Sequence, residues 1–165
     1  MREIKLEKVT LNVGCGDDKE KIEKAQKLLS MFSGGKKTIV TLSQRRSTFG
    51  IPKGKPLGVK VTLRKKAADE FFKILLQFTE NKIKKSQIDN DGNINIGIPE
   101  YIDLPGIKYN HEIGMMGFGA SVTLHRAGYR IKRRRIQKKI IPKKHKINKE
   151  EVTNWLQGKL GVKVE

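Results

Sequence analysis

The predicted fold is decided by the stretch Leu57-Gly58-Val59-Lys60-Val61-Thr62-Leu63-Arg64. Apolar side chains alternate here with cationic or hydroxyl-bearing ones, which is the period of a β-strand with one buried and one polar face. Residues 8–14 repeat the scheme, with Lys8, Thr10 and Asn12 set between Val9, Leu11 and Val13. If the two strands share a sheet, their polar side chains form one surface without a carboxylate. Such a surface favours a polyanionic ligand, and an ordinary solvated sheet face is the alternative.

Charge is distributed unevenly along the chain. The 165 residues, a length typical of a single domain, carry 36 Lys and Arg against 17 Asp and Glu, a net charge of +19. Two acid-free blocks, residues 24–68 and 113–149, each hold 12 Lys or Arg. A protein that needs charge only for solubility intersperses the two signs, so these blocks predict a polyanion as partner. The sequence shows no long apolar run, lipidation signal or signal-peptide apolar segment, and we expect a cytoplasmic protein with no membrane partner.

Strands and helices follow one another irregularly. Two-residue periodicity predicts strands at residues 3–14, 38–42, 57–64, 93–98 and 120–125, and helical periodicity predicts helices at 19–32, 65–81 and 149–160. This order predicts an α+β fold in which an antiparallel sheet carries helices on one face and leaves the other face open to a ligand.

The loop at residues 48–58 connects two of the predicted strands. It contains three glycines and two prolines, a composition typical of loops, and it is longer than a hairpin needs. Its only charged residues are Lys53 and Lys55, and it carries one aromatic residue, Phe49. We expect a hairpin whose tip, residues 53–55, reaches out to contact RNA. A flexible connection without a partner is the alternative.

Residues 126–149 form a basic extension rich in Arg and Lys. Taken alone, such a run is typical of a disordered tail or a nuclear-import signal. Asn148 and Glu151, however, have the spacing of a helix-capping pair, and an apolar stripe that includes Trp155 and ends at Leu160 follows them. A helix that can be buried beyond the run predicts an internal extension held at both ends.

Residues that could carry catalysis are scattered. Cys15 is the only cysteine, and His111, His125 and His145 have no partner at metal-ligand spacing. Acids are absent from the two basic blocks, where a metal-dependent nuclease would need them. We therefore expect no enzyme activity, no metal and no cofactor. Aromatic residues make up only 6% of the chain, too few for a reader of single strands. The residues thus predict a binder of folded RNA, with a regulatory or DNA-architectural protein as the alternative.

Three signatures resemble those of the universal large-subunit ribosomal protein five family. They are residues 6–16, residues 56–64, and Asp91-Gly92-Asn93 followed by Gly97, Glu100 and Leu104-Pro105. These matches follow in order between residues 3 and 125. From Leu124 through the Arg-rich run to Trp155, the chain looks like the archaeal and eukaryotic branch of the family.

The resemblance implies a structural constituent of the large ribosomal subunit. Such a protein binds 5S rRNA and helps to attach it in the central protuberance. The resemblance also implies contacts with 23S-type rRNA, with P-site tRNA, with other central-protuberance proteins, and with small-subunit protein thirteen in an intersubunit bridge. A nucleic-acid-binding protein that acts off the ribosome stays the alternative.

The resemblance also implies roles for individual positions. Asn12 and Thr62 fall where family members contact 5S rRNA, whereas Gly35 stands where many members have Gln. The expected 5S rRNA-binding residues are Thr10, Asn12, Lys36, Arg45, Arg46, Ser47, Lys60, Thr62 and Arg64. The expected tRNA-facing residues are Phe49, Lys53, Gly54 and Lys55, and those of the intersubunit bridge are Ile107, Tyr109 and His111. In the extension, the residues expected to bind rRNA are Arg130, Arg133, Arg134, Arg135, Lys143 and Lys144.

Overall fold

The computed structural model describes residues 1–45 and 50–164, and its architecture is α+β. A five-stranded antiparallel sheet has the order β2-β3-β1-β6-β5, and a two-stranded parallel sheet joins β4 to β7. The elements are β1 (Ile4–Gly14), α1 (Lys19–Phe32), β2 (Ile39–Leu42), β3 (Pro56–Leu63), α2 (Lys66–Phe78), β4 (Lys82–Ile83), β5 (Ile94–Ile98), β6 (Phe118–Arg126), α3 (Arg130–Arg133), α4 (Lys149–Leu160) and β7 (Lys163–Val164). The predicted fold class is confirmed.

The chain divides into two compact units. One, here called the extension unit, comprises Met1–Lys8, Arg64–Asn95 and Ser121–Glu165, and the other, called the hairpin unit, comprises Val9–Leu63 and Ile96–Ala120. Each is described by itself below. The single domain expected from the chain length stays a prediction.

In the hairpin unit, β1 and β3 pair in the register that their alternation predicts. The ladder runs from Val9 opposite Leu63 to Gly14 opposite Gly58. The six inward side chains are all buried, namely Val9, Leu11, Val13, Val59, Val61 and Leu63. Gly58 is required by close packing, because a Cβ atom there would lie 2.3 Å from the carbonyl oxygen of Val13.

Helix α1 of the hairpin unit begins and ends where its sequence predicts. The side chain of Asp18 accepts hydrogen bonds from the backbone N–H groups of Glu20 and Lys21, at 3.1 and 3.3 Å. This is the N-cap arrangement that satisfies the first free donors of a helix. The buried stripe consists of Ile22, Ala25, Leu28 and Leu29.

In the extension unit, α2 ends three residues before the predicted position. Glu80 and Asn81 have φ values of 52° and 57°, in the left-handed region that cannot continue an α-helix. Phe72 is buried, and its ring stacks on Trp155 of α4 with centroids 6.5 Å apart and planes at 17°. Trp155 is therefore the packing anchor that the stripe predicts. Leu160, at the end of the same stripe, is instead exposed.

Strand β6 is longer than predicted and ends with Arg126, the first cation of the expected basic extension. Only 5% of Arg126 is exposed. Its Nη2 lies 2.8 Å from Oε1 of Glu151, and its Nη1 donates to the carbonyl oxygens of His145 and Lys146 at 3.4 and 3.3 Å. Arg126 thus belongs to the core of the extension unit and not to its charged surface. The short parallel pair β4–β7 also went unpredicted, because two-residue strands have no periodicity to detect.

Candidate nucleic-acid interface

Four polar side chains of β1 and β3 form one surface in the hairpin unit. Asn12 lies opposite Lys60, and Thr10 lies opposite Thr62. Asn12 and Lys60 are exposed, while the two threonines are half-buried. We call Thr10, Asn12, Lys60 and Thr62 the polar plate. Its amide, two hydroxyls and ammonium can hydrogen-bond to phosphates, 2′-hydroxyls and base edges.

Two neighbours shape the polar plate. Ile39 of β2 pairs with Lys60 and is 55% exposed, which gives the surface an apolar edge that the acid-free pattern did not predict. Gly119 of β6 lies beside Asn12, and a Cβ atom at Gly119 would come within 3.0 Å of the Asn12 Oδ1 atom. Glycine at position 119 therefore leaves room for the Asn12 amide to stand free on the surface.

The loop between β2 and β3 differs from the expected hairpin. The N–H of Ser43 donates to the carbonyl oxygen of Lys55, and the N–H of Gly54 donates to that of Ser43, both at 2.8 Å. The expectation that residues 53–55 form the tip is therefore wrong, because these bonds place Gly54 and Lys55 at the base of the loop. Lys55 also forms an ion pair with Asp17, and Lys53 is exposed.

Several expected contacts around this loop have different standings. Arg45 is exposed, and its carbonyl oxygen accepts from the Ser43 hydroxyl at 2.7 Å. Lys36 is also exposed, on a turn fixed by the buried Ser33, whose Oγ lies 3.1 Å from the Lys36 carbonyl oxygen. Three further expected contacts, Arg46, Ser47 and Phe49, lie outside the described residues.

The segment expected at an intersubunit bridge, residues 105–118, is anchored within the hairpin unit. The hydroxyl of the buried Tyr101 accepts from the backbone N–H of Asn110 at 2.9 Å. Glu112 pairs with Lys27 of α1 at 2.8 Å, and this hydrogen bond lowers the pKa of Glu112 and raises the pKa of Lys27. The expected bridge residues then lie along the segment, with Tyr109 and His111 exposed and Ile107 half-buried. Tyr101 was missed from the sequence, since nothing local marks a tyrosine that fixes a later loop.

The basic extension folds around one tyrosine. The Tyr129 hydroxyl donates to the carbonyl oxygen of His145 at 3.2 Å and accepts from the N–H of Ile147 at 3.1 Å. Burial raises the pKa of this phenol. Ile141 and Ile147 are buried, and β6 and α4 flank the segment. The expectation of an internal extension held at both ends is confirmed.

The expected rRNA-binding cations of the extension fall into two groups. Arg130, Arg135, Lys143 and Lys144 are exposed. Arg134 uses its Nε to donate to the carbonyl oxygen of Gln137 at 2.8 Å, and Arg133 forms an ion pair with Glu7 of β1. Arg64, at the end of β3, lies 3.4 Å from the same carboxylate. Glu7 is thus an acid at the cationic surface that the charge pattern did not single out.

Groups suited to catalysis were also compared with the expectations. In residues 1–45 and 50–164, no three His, Cys, Asp or Glu side chains lie close enough together to hold a metal ion. Cys15 is buried, its thiol lies 3.6 Å from the Lys21 carbonyl oxygen, and burial raises its pKa. Among the described residues, no helix is both long and apolar enough to span a bilayer.

Known proteins resemble the chain over most of its length. A family model for the C-terminus of the ribosomal uL5 family matches residues 56–154. "Large ribosomal subunit protein uL5" of Nanoarchaeum equitans is 45% identical over 165 residues, covering 99% of this chain and 97% of that protein. The uL5 proteins of Sulfurisphaera tokodaii and Methanosphaera stadtmanae are 41% and 39% identical, covering 99% and 96% of this chain and 93% and 94% of their own.

Proposed function

The chain belongs to the ribosomal uL5 family, in the branch of its archaeal relatives, and we propose that it is a structural protein of the large ribosomal subunit that binds 5S rRNA through its polar plate. The observation that carries the proposal is the pairing of Asn12 with Lys60 and of Thr10 with Thr62 on one face. A cation beside fitted hydrogen-bonding groups suits structured RNA, where cations position the backbone and hydrogen bonds discriminate.

The other expected contacts surround this interface. The exposed Lys36 and Arg45 extend the cationic surface of the hairpin unit, and the exposed cations of the extension suit 23S-type rRNA. The loop that carries Lys53 is the proposed contact for P-site tRNA. The anchored segment with Tyr109 and His111 is the proposed contact for small-subunit protein thirteen. Neighbouring central-protuberance proteins complete the proposed set of partners.

Binding to purified 5S rRNA tests the proposal. We expect saturable binding to a 5S rRNA transcript that weakens steeply as salt rises, because each neutralised phosphate releases counterions. An unrelated RNA of equal length is the control. Equal affinity for both RNAs would argue against a 5S rRNA site and leave only non-specific attraction from the net charge of +19.

A second measurement separates ribosomal from other roles. On a sucrose gradient of cell extract, the protein is expected to migrate with large subunits and to stay there after a moderate salt wash. Absence from the large-subunit fractions would instead favour a regulatory or DNA-architectural protein that acts off the ribosome. No catalytic step enters the proposed role.

A further inference from the structure

One carboxylate in the extension unit binds a cation from each acid-free block. The Oε1 atom of Glu7 accepts from Nη1 of Arg64 at 3.4 Å and from Nη1 of Arg133. Arg64 belongs to the acid-free block 24–68 and Arg133 to the block 113–149. Two guanidinium groups that are 69 residues apart in the sequence therefore meet on one oxygen atom.

The burial of Glu7 sets this contact apart from ordinary surface pairs. The Glu7 side chain is 10% exposed, whereas the side chains of Arg64 and Arg133 are 54% and 50% exposed. Glu3, which pairs with Lys159 on the same strand, is 59% exposed and is a solvated surface pair. The Glu7 carboxylate is thus held by the fold, and the two arginines reach it from the solvent side.

We propose that Glu7 is a positioning residue for RNA binding, which holds Arg64 and Arg133 as a preset pair of phosphate ligands. The inference rests on the proposed function. A guanidinium has five N–H donors, so one hydrogen bond to Glu7 leaves each arginine four donors for a phosphate. Fixing long side chains before binding removes an entropy cost that binding would otherwise bear.

The surroundings of Glu7 supply further cations. A cavity of about 340 Å³ in the extension unit is lined by Glu7 and Arg133 together with Lys8, Lys132 and Lys146. Lys146 has its own acidic partner, Asp91, at 3.5 Å. Phosphates that approach the two arginines would therefore meet a positive rim, and Glu7 lowers the local charge by one. A role as a simple counter-charge and a role in positioning predict opposite effects of removing it.

The substitution Glu7→Gln distinguishes the two roles by the sign of its effect. Positioning predicts that 5S rRNA binds about 5–10-fold more weakly, even though the protein gains one unit of positive charge. Glu3→Gln makes the same charge change at an exposed pair and is expected to leave affinity unchanged or slightly higher. Affinity of Glu7→Gln equal to or above that of the wild type would overturn the inference.

A double-mutant cycle separates positioning from a general effect on the fold. Arg133→Gln should weaken binding several-fold in the wild-type background and much less in the Glu7→Gln background, because the unheld arginine has less to lose. Equal losses in both backgrounds would contradict the proposal. Thermal unfolding of each free variant verifies that binding is compared among folded proteins.

Arg133→Lys gives a test that does not depend on Glu7→Gln folding. It keeps the charge on an exposed side chain but replaces the planar fork with a point charge. Positioning predicts a several-fold loss of 5S rRNA affinity, and unchanged affinity would count against it. Wild-type protein that fails to bind 5S rRNA would overturn both this inference and the proposed function. Wild-type binding with insensitive variants would overturn this inference alone.

Discussion

Asn12 and Lys60 lie directly opposite each other on β1 and β3, and both side chains are exposed. The pair joins a neutral amide, which can read a specific donor or acceptor, to a cation, which mainly attracts phosphate. The neighbouring pair, Thr10 with Thr62, adds two hydroxyls on the same face. The polar plate therefore combines attraction and discrimination in adjacent positions.

Removing a fitted hydrogen bond from the polar plate should weaken the complex with 5S rRNA. Asn12→Ala and Thr62→Ala are each expected to cost about 1 kcal/mol, or roughly 5-fold in the dissociation constant. Asn154→Ala, at an exposed position of α4, is the matched control and should change nothing. Unchanged dissociation constants for both plate variants would remove this face from the site.

Gly92 should tolerate no side chain. Its φ is +79°, and a Cβ atom would lie 2.7 Å from a methyl carbon of Ile147 and 3.1 Å from one of Val152. Gly92→Ala combines a left-handed backbone with overpacking, and we expect a loss of about 2 kcal/mol, or roughly 4–8 °C in the melting temperature. Gly97→Ala, where nothing lies within 4 Å, is the control and should stay within about 0.5 kcal/mol of the wild type.

Glu151 should make the free energy of unfolding depend on acid pH. The hydrogen bond from Arg126 is the main cause that lowers the pKa of Glu151 below its usual 4.5. A carboxyl with a lowered folded-state pKa adds stability above its unfolded pKa and loses it as the pH falls through the folded value. The contribution is therefore full at neutral pH and disappears progressively below about pH 4.5.

The corresponding variant is Glu151→Gln, which leaves the buried Arg126 without its anion. At neutral pH we expect a loss of about 2 kcal/mol, because a hydrogen bond to a charged group is removed. Urea unfolding at a series of pH values should show the gap to the wild type shrinking in acid. Glu150→Gln, at the exposed neighbouring position, is the control. A gap that stays constant with pH would contradict the assignment.

Self-repulsion should destabilise the free protein at low salt. The net charge of +19 favours expansion of the chain, and salt screens that repulsion. We expect the melting temperature to rise from low to physiological ionic strength, and to rise further with saturating 5S rRNA, which binds only the folded state. A melting temperature that is flat with salt would mean that the ion pairs of the fold already offset the repulsion.

The parts of the fold that could be predicted are those with local periodicity. Alternation along β1 and β3 predicted both their inward faces and the shared polar plate, and the spacing from Ile22 to Leu29 predicted α1. The capping pair before α4 is also local, since the N–H of Asn148 donates to Glu151 at 3.1 Å. Short-range patterns of this kind depend on the helix or strand period alone.

The features that could not be predicted depend on partners far away in the chain. Arg126 stands in an acid-free block, but its anion is Glu151, on the helix beyond that block. Glu7 becomes visible as a ligand of Arg64 and Arg133 only when the fold brings the three together. Lys55 was expected at a loop tip, because composition cannot show that the strand bonding extends to Ser43. Charge runs predict a surface, whereas pairing inside the fold decides which cations remain on it.

The protected state of Cys15 makes the native chain suitable for selective labelling. Thiol-reactive dyes attack the thiolate, and the only thiol of the chain is buried with a raised pKa. A cysteine introduced at an exposed position such as Lys53 would therefore react first, without removal of the native one. A donor dye at that position and an acceptor dye on a tRNA would measure, by energy transfer, how closely the β2–β3 loop approaches it in assembled particles.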